Sequence, residues 1–246
     1  MHRHGSRYPL ASELTSVTGL VAKLSNASVA LSKARLPSNL AFITSYKSTL
    51  GHDDLSAVGR AELFDSGVAF RLKYGALAAK ASGPITVLAG GQDRVIESAQ
   101  WFQAGFFGRT ANVTSTFSII AEDTKTISWI TPMDTCPKWQ YAYGGNKTST
   151  WGTHYIPPIT ARLNALLRPY VVLTDTDTHG ALYACAYDLA ALGPTASPWC
   201  SVFTEHEIEA FEYELDLLME GAFGYGLPGD MGPLLGGVFV RLLVDR

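Results

Sequence analysis

The segment that most restricts how this chain can fold is Ile85-Thr86-Val87-Leu88-Ala89, followed directly by Gly90-Gly91-Gln92-Asp93-Arg94 and a helical pattern from Val95 to Phe107. A short, β-branched apolar run reads as a buried parallel strand. Strand, glycines and helix in that order place Arg94 near a helix N-terminus at the C-terminal edge of a sheet. Open α/β sheets bind ligands there, and helix N-termini favour anions. Thr116 to Ile120 reads as a further strand. The two glycines alone are a weak phosphate-loop signal.

A second cluster of basic residues opens the chain. Met1-His2-Arg3-His4-Gly5-Ser6-Arg7-Tyr8-Pro9 contains Arg3-His4-Gly5-x-Arg7-x-Pro9. A guanidinium is always charged and presents a planar fork of donors that matches phosphate oxygens. Two of them beside His4 push the imidazole toward its neutral, nucleophilic form. Gly5 lets the backbone turn and come close to a bound group. The residue types suit a histidine that attacks phosphorus held in an arginine cradle. The plain alternative is a solvated basic tail.

The totals narrow the partners. The chain has 246 residues, enough for one large domain or two small ones, with 47% hydrophobic and 17% charged residues. Its net charge is −3, so no broad basic footprint suits nucleic acid, and any anion site must be a local arginine cluster. No apolar run approaches the roughly 18 residues needed to span a bilayer. Three cysteines leave one without a partner inside the chain, and N-x-S/T triplets stand at Asn26, Asn112 and Asn146.

Between the clusters the pattern is mostly helical. Leu14, Val17, Leu20, Val21 and Leu24 mark a first helix; Leu40 to Ile43 begin a short helical segment ending near Gly51. Ser56 is a candidate N-cap for an amphipathic helix carrying Gly59 and Gly67. Residues 135–220 read as mainly helical. Asp175-Thr176-Asp177-Thr178-His179 mixes oxygen and nitrogen ligand types. A loop with an N-cap at Asp177 or Thr178 is preferred there over a metal site. Glu205 to Met219 and Met231 to Val244 read as further helices.

Arg3-His4-Gly5-x-Arg7-x-Pro9 resembles the signature of the histidine acid phosphatases, the fungal acid phosphatase and phytase branch of the histidine phosphatase superfamily. Arg94-Val95-Ile96-x-Ser98-Ala99 resembles that family's R-V-x-x-S-A, and Ser197-Pro198-Trp199-Cys200-x-x-Phe203-Thr204-x-x-Glu207 resembles its S-P-F-C-x-x-F-T-x-x-E. The resemblance runs from Arg3 to about Leu243. It implies an α/β fold, phosphoglycerate-mutase-like, with a mostly parallel sheet flanked by helices and an inserted, mainly α-helical cap. Residues 1–134 and 221–246 would form an incomplete core, and 135–220 the cap. It implies phosphomonoester hydrolysis through a phosphohistidine on His4, with Arg3, Arg7 and Arg94 holding the phosphoryl oxygens, and no metal or other cofactor. It pairs Cys185 with Cys200, against the alternative of two buried thiols. Cys136 resembles a family cysteine whose partner lies far toward the C-terminus, and this chain has none. With the three sequons, the resemblance favours a secreted, glycosylated protein whose leader lies outside this chain.

One family element is missing. The family's His-Asp pair, which supplies a phosphate-binding histidine and the acid that protonates the leaving alcohol, has no match after Arg94. His52-Asp53 precedes the strand and lies elsewhere in the chain order. The expectation is a piece truncated at both ends, binding phosphate weakly and turning alkyl phosphates over poorly. A mutase-like member of the same superfamily fits less well, given Arg7, Pro9, the sequons, the cysteine pair and the large cap. A non-catalytic phosphate or inositol-phosphate binding protein is a further alternative. The expected partner is a small phosphate monoester. No lysine cluster singles out phytate, so a broad acid phosphatase is favoured, with a 3-phytase close behind.

Overall fold

A computed structural model describes residues 1–123, 128 and 130–244 of the chain. The parts of the expected core at 124–127, 129, 245 and 246 lie outside the described residues. In chain order the elements are α1 (Ala11–Asn26), α2 (Ser28–Leu31), α3 (Ala57–Ala78), β1 (Ile85–Gly90), α4 (Asp93–Phe107), α5 (Ala111–Thr114), β2 (Ser115–Ile120), α6 (Ala142–Leu167), α7 (Asp175–Leu192), α8 (Glu205–Phe223) and α9 (Met231–Val244). Short 3₁₀ turns fill the connections, one of them at Ser38–Thr44 where the sequence pattern suggested a helix reaching Gly51.

β1 and β2 pair in parallel, Ile85 opposite Ser115 and Gly90 opposite Ile120. Among the described residues the sheet has these two strands. The parallel expectation therefore holds, but full burial does not. In β1 only Ala89 and Gly90 are buried, and Leu88 is 39% exposed. A two-stranded ribbon has an edge on each side, and among the described residues α4 is the helix that packs closely on β1. The chain is α/β, mostly helical, with a small parallel sheet.

α3 lies against α4 across paired glycines. A Cβ on Gly67 would sit 2.3 Å from the Phe102 carbonyl oxygen, and one on Gly105 would sit 2.1 Å from that of Phe64. The two backbones touch where side chains would hold them apart, which fixes the angle between the helix that backs the first motif and the helix that carries Arg94.

The largest buried cluster lies among helices. Val17, Leu20 and Leu24 of α1 meet Leu163 and Leu167 of α6, Ala181 and Leu182 of α7, and Trp199. Each fully buried leucine contributes about 1.5–3 kcal/mol relative to an exposed one. The cluster takes α1 from one side of the expected division at residue 135 and α6 and α7 from the other. α6 runs on through Pro157 and Pro158 because Tyr155, Ile156 and Ile159 are buried in that cluster. A disulfide joins Cys185 of α7 to Cys200, with Cα atoms 4.8 Å apart. α8 packs on α6, and Arg162 of α6 donates to Glu207 of α8 at 2.8 and 2.6 Å.

The N-cap of α7 lies three to four residues earlier than the sequence suggested. Thr174, not Asp177 or Thr178, is the N-cap, and Asp177 occupies the third helical position of a reciprocal capping box. The run offers several capping residues. The pair that satisfies two orphan amides at once wins. Asp177 also pairs with Lys23 of α1, and Thr178 bonds Thr160 at 2.8 Å, so both are occupied in packing.

Candidate active site

The opening motif is strapped down by its neighbours. Arg7 forms an antiparallel bridge with Leu55, Tyr8 N–H donates to Asp54 at 3.0 Å, and Asp53 N–H donates to Pro9 at 2.8 Å. Ser56, fully buried at the N-cap of α3, accepts from Gly59 N–H at 3.1 Å. Its own N–H donates to the Ser6 carbonyl at 2.9 Å, and its hydroxyl sits 2.8 and 2.9 Å from the carbonyls of Ser6 and Ala190. One serine thus ties the motif to α3 and α7 together. The Ser6 N–H and hydroxyl each donate to Glu62 at 2.8 Å.

Gly5 is required for approach to protein rather than for an unusual turn. Its φ is not among the positive values, and a Cβ there would lie 2.4 Å from the Gly59 carbonyl oxygen. Gly59 answers it, since its Cβ would fall 2.1 Å from the Ser6 carbonyl oxygen. Gly5 N–H donates to Ser98 Oγ of α4 at 3.1 Å. Ser98 follows Arg94 by one helical turn, so the two share a face. That bond ties the Arg94 face of α4, already seated by its packing on α3, to the opening motif.

His4 Nδ1 lies 2.8 Å from the Gly5 carbonyl oxygen. A carbonyl only accepts, so in the neutral ring Nδ1 carries the proton and Nε2 keeps its lone pair. The imidazole pKa is held below its ordinary value, first by burial; the Gly5 contact opposes this, and Arg3, Arg94 and Arg7 lower it further. The sequence reading credited the arginines. The structure adds burial as the larger cause.

The charges of all three arginines act on this ring. Arg3 and Arg7 line an open pocket of about 320 Å³ with His4, Glu62, Tyr187 and Ala190. Arg94 does not line it, but its charge acts on His4, and the charges of Arg7 and Arg3 act on it. Burial and Arg7 lower the Arg94 pKa, yet a guanidinium stays charged at any working pH. Arg94 Nε is buried and bonds to no protein group among the described residues. A donor in that position suits an oxyanion.

The model of the histidine phosphatase superfamily, branch 2, matches residues 1–246. The chain belongs to branch 2 of the histidine phosphatase superfamily. This histidine phosphatase chain is similar to phytase A of Aspergillus fumigatus, 31% identical over 257 residues, with 100% of this chain and 53% of that protein covered. It is also similar to a thiamine-repressible acid phosphatase of Schizosaccharomyces pombe, 30% identical over 261 residues, with 100% of this chain and 55% of that protein covered. The solved phytase of D. castellii superposes with a TM-score of 0.84 at 23% identity, over 99% of this chain and 54% of the other, which shows the fold. The chain spans about half the length of the curated relatives it matches.

Other sequence candidates fall elsewhere. His2 packs against Phe70 and Phe102, at 4.7 Å between ring centroids in each case. His179 of α7 lies beside Tyr183 of the same helix and Glu214 of α8, and His206 is exposed on α8. His52 pairs with Asp53 at 2.9 Å. Asn26, Asn112 and Asn146 are all exposed. No helix among the described residues is long and apolar enough to cross a membrane. Two residues at the site went unnoticed in the sequence. Glu62 sits on the first turns of α3, and Glu13 bonds the Tyr187 hydroxyl at 2.6 Å beside Arg7. Neither belongs to a pattern that spacing reveals, because their partners are 56 and 174 residues away.

Proposed function

We propose that this chain carries the phosphate-binding and nucleophilic half of a phosphomonoesterase site, of the acid phosphatase or phytase type. The observation that carries the reading is the His4 ring: Nδ1 is committed to the Gly5 carbonyl, and burial first, then the charges of Arg3, Arg94 and Arg7, hold the imidazole pKa below its ordinary value, which favours a neutral ring with a free Nε2 lone pair. His4 Nε2 forms a bond to phosphorus as the bond from phosphorus to the ester oxygen breaks, and the departing alkoxide or phenolate takes its proton from solvent water. Water then attacks phosphorus, the N–P bond breaks, and inorganic phosphate leaves with His4 restored. The guanidiniums neutralise charge that spreads over the phosphoryl oxygens in both steps.

The described residues supply no His-Asp acid after Arg94, so leaving groups that depart without a proton suit this chain best. General acid catalysis contributes typically 10²–10⁴-fold. An aryl ester such as 4-nitrophenyl phosphate is expected to phosphorylate His4 faster than an alkyl ester does. Robust turnover of glycerol phosphate by the 246-residue chain would refute the assignment of the missing acid. Similarity to both phytases and acid phosphatases supports a small phosphate monoester, phytate included. Comparing phytate with 4-nitrophenyl phosphate at acid pH separates the two. The exposed sequons and the disulfide support a secreted glycoprotein. Residues 1–134 with 221–246 as the core and 135–220 as the cap remain our working division.

A further inference from the structure

We infer that Glu13 and Tyr187 are positioning residues that hold the Arg7 guanidinium in its phosphate-binding pose, coupling α1 and the cap helix α7 to the site. This rests on the reading of Arg7 as a phosphate ligand. Arg7 Nη1 donates to the Tyr8 carbonyl at 2.8 Å and to Glu13 Oε2 at 3.4 Å. The same Glu13 oxygen accepts from the Tyr187 hydroxyl at 2.6 Å and from Leu10 N–H at 2.6 Å. The Arg7 guanidinium carbon stands 5.7 Å from the centre of the Tyr187 ring, within reach of a cation–π contact. Arg7 is therefore gripped from one side by a carboxylate and seated on an aromatic ring.

The grip is well placed to matter. The Arg7 and Glu13 side chains are 15% and 20% exposed, so water screens their attraction far less than on an open surface. Tyr187 lines the same pocket as His4 and Arg7. Burial first, and then the bond to Glu13, push the Tyr187 phenol well above its ordinary value, so it stays a donor at any working pH. Glu13 also closes the first turn of α1. With Nη1 committed to Tyr8 and Glu13, oxyanion contacts fall to the other nitrogens of the fork. A guanidinium free to rotate would lose that pre-alignment, and with it affinity for a tetrahedral oxyanion.

The test measures binding of inorganic phosphate and of vanadate to the 246-residue chain, together with the rate of His4 phosphorylation by 4-nitrophenyl phosphate. Glu13→Gln keeps an acceptor for Leu10 and Tyr187 but removes the charge, and Tyr187→Phe keeps the ring but removes the hydroxyl. Each is expected to weaken oxyanion binding roughly three- to tenfold, the span of one ordinary hydrogen bond. Neither is expected to weaken it further once Arg7 is replaced by alanine. That lack of additivity separates positioning from general loss of fold, which circular dichroism and a thermal melt monitor independently. If Glu13→Gln and Tyr187→Phe leave binding unchanged while Arg7→Ala weakens it, the inference is wrong. The same holds if their effects add fully to that of Arg7→Ala. If Arg7→Ala itself leaves binding unchanged, the phosphate-ligand reading fails instead.

Discussion

Gly59→Ala tests whether the opening motif is seated by backbone contact. The substitution places a Cβ 2.1 Å from the Ser6 carbonyl oxygen and 2.8 Å from Leu55 Cδ1. Real Cβ contacts essentially never fall below 3.0 Å, so the motif has to retreat by roughly 1 Å. That retreat stretches the bonds from Ser56 N–H and its hydroxyl to the Ser6 carbonyl, now 2.9 and 2.8 Å. Overpacking costs about 1–3 kcal/mol and each of the two weakened bonds about 0.5–1.5 kcal/mol, for an expected loss of about 2–6 kcal/mol. A misplacement near 1 Å at a reacting group costs on the order of 100-fold in rate, so phosphorylation of His4 should fall by about that much. Urea denaturation followed by circular dichroism reads the first effect, and rapid-quench labelling reads the second. The sign is informative, because alanine inside an open helix is worth about 1 kcal/mol more than glycine. Gly19→Ala in α1, with nothing within 4 Å of its Cβ, is expected to stabilise by about that amount. A midpoint for Gly59→Ala that is unchanged or raised, like that of Gly19→Ala, would refute the contact argument.

Three further outcomes are expected. Because the His4 pKa lies below 6.5, phosphorylation of the ring should persist into acid and fall only as pH drops through that lowered value. Arg94→Gln removes a positive neighbour and should move the acid limb of that profile to higher pH; an unmoved limb would contradict the coupling. Asp188 is buried, and desolvation raises its pKa above the usual 3.8 against the opposing bonds from Ser197 and Tyr46. Its contribution to stability is therefore fully present below 3.8 and is lost as pH rises through the raised value. Asp188→Asn should raise the melting temperature at pH 7 more than at pH 3.5, and an equal gain at both would count against it. Reduction of the Cys185–Cys200 disulfide, which spans 15 residues, should lower the unfolding free energy by about 3 kcal/mol, read from melts with and without reductant.

The parts of the molecule legible in its sequence are those in which one short segment holds all the information. The parallel strand at 85–90 is signalled by β-branched residues ending in glycine, and the Arg94 helix follows because the turn chemistry lies next to it. The cap at Ser56 is equally local. The start of α7 lies elsewhere than expected because five candidate capping residues stand in succession from Thr174 to Thr178, and only the reciprocal bonds between Thr174 and Asp177 choose among them. The burial of α1 against α7 was not legible, since an apolar stripe shows that a helix packs but not against what. At the candidate site, residue chemistry singles out His4 and the three arginines as candidates, and in the structure the charges of all three act on the His4 ring. The role of Glu13 was not. Leu10 stands at the N-cap in place of a serine or threonine, so the usual capping signature is missing, and its partner Tyr187 enters from a distant helix. The purpose of Gly5 was half legible: a close approach was foreseen, but the surface approached is α3 itself.

The central claim is that His4 is the nucleophile. Its most direct test is rapid-quench labelling of the 246-residue chain with a ³²P-labelled aryl phosphate, followed by peptide mapping. The account predicts a single acid-labile, alkali-stable phosphoryl group on the peptide containing His4, absent from His4→Ala. Label that persists in His4→Ala, or that maps to another residue, would contradict it.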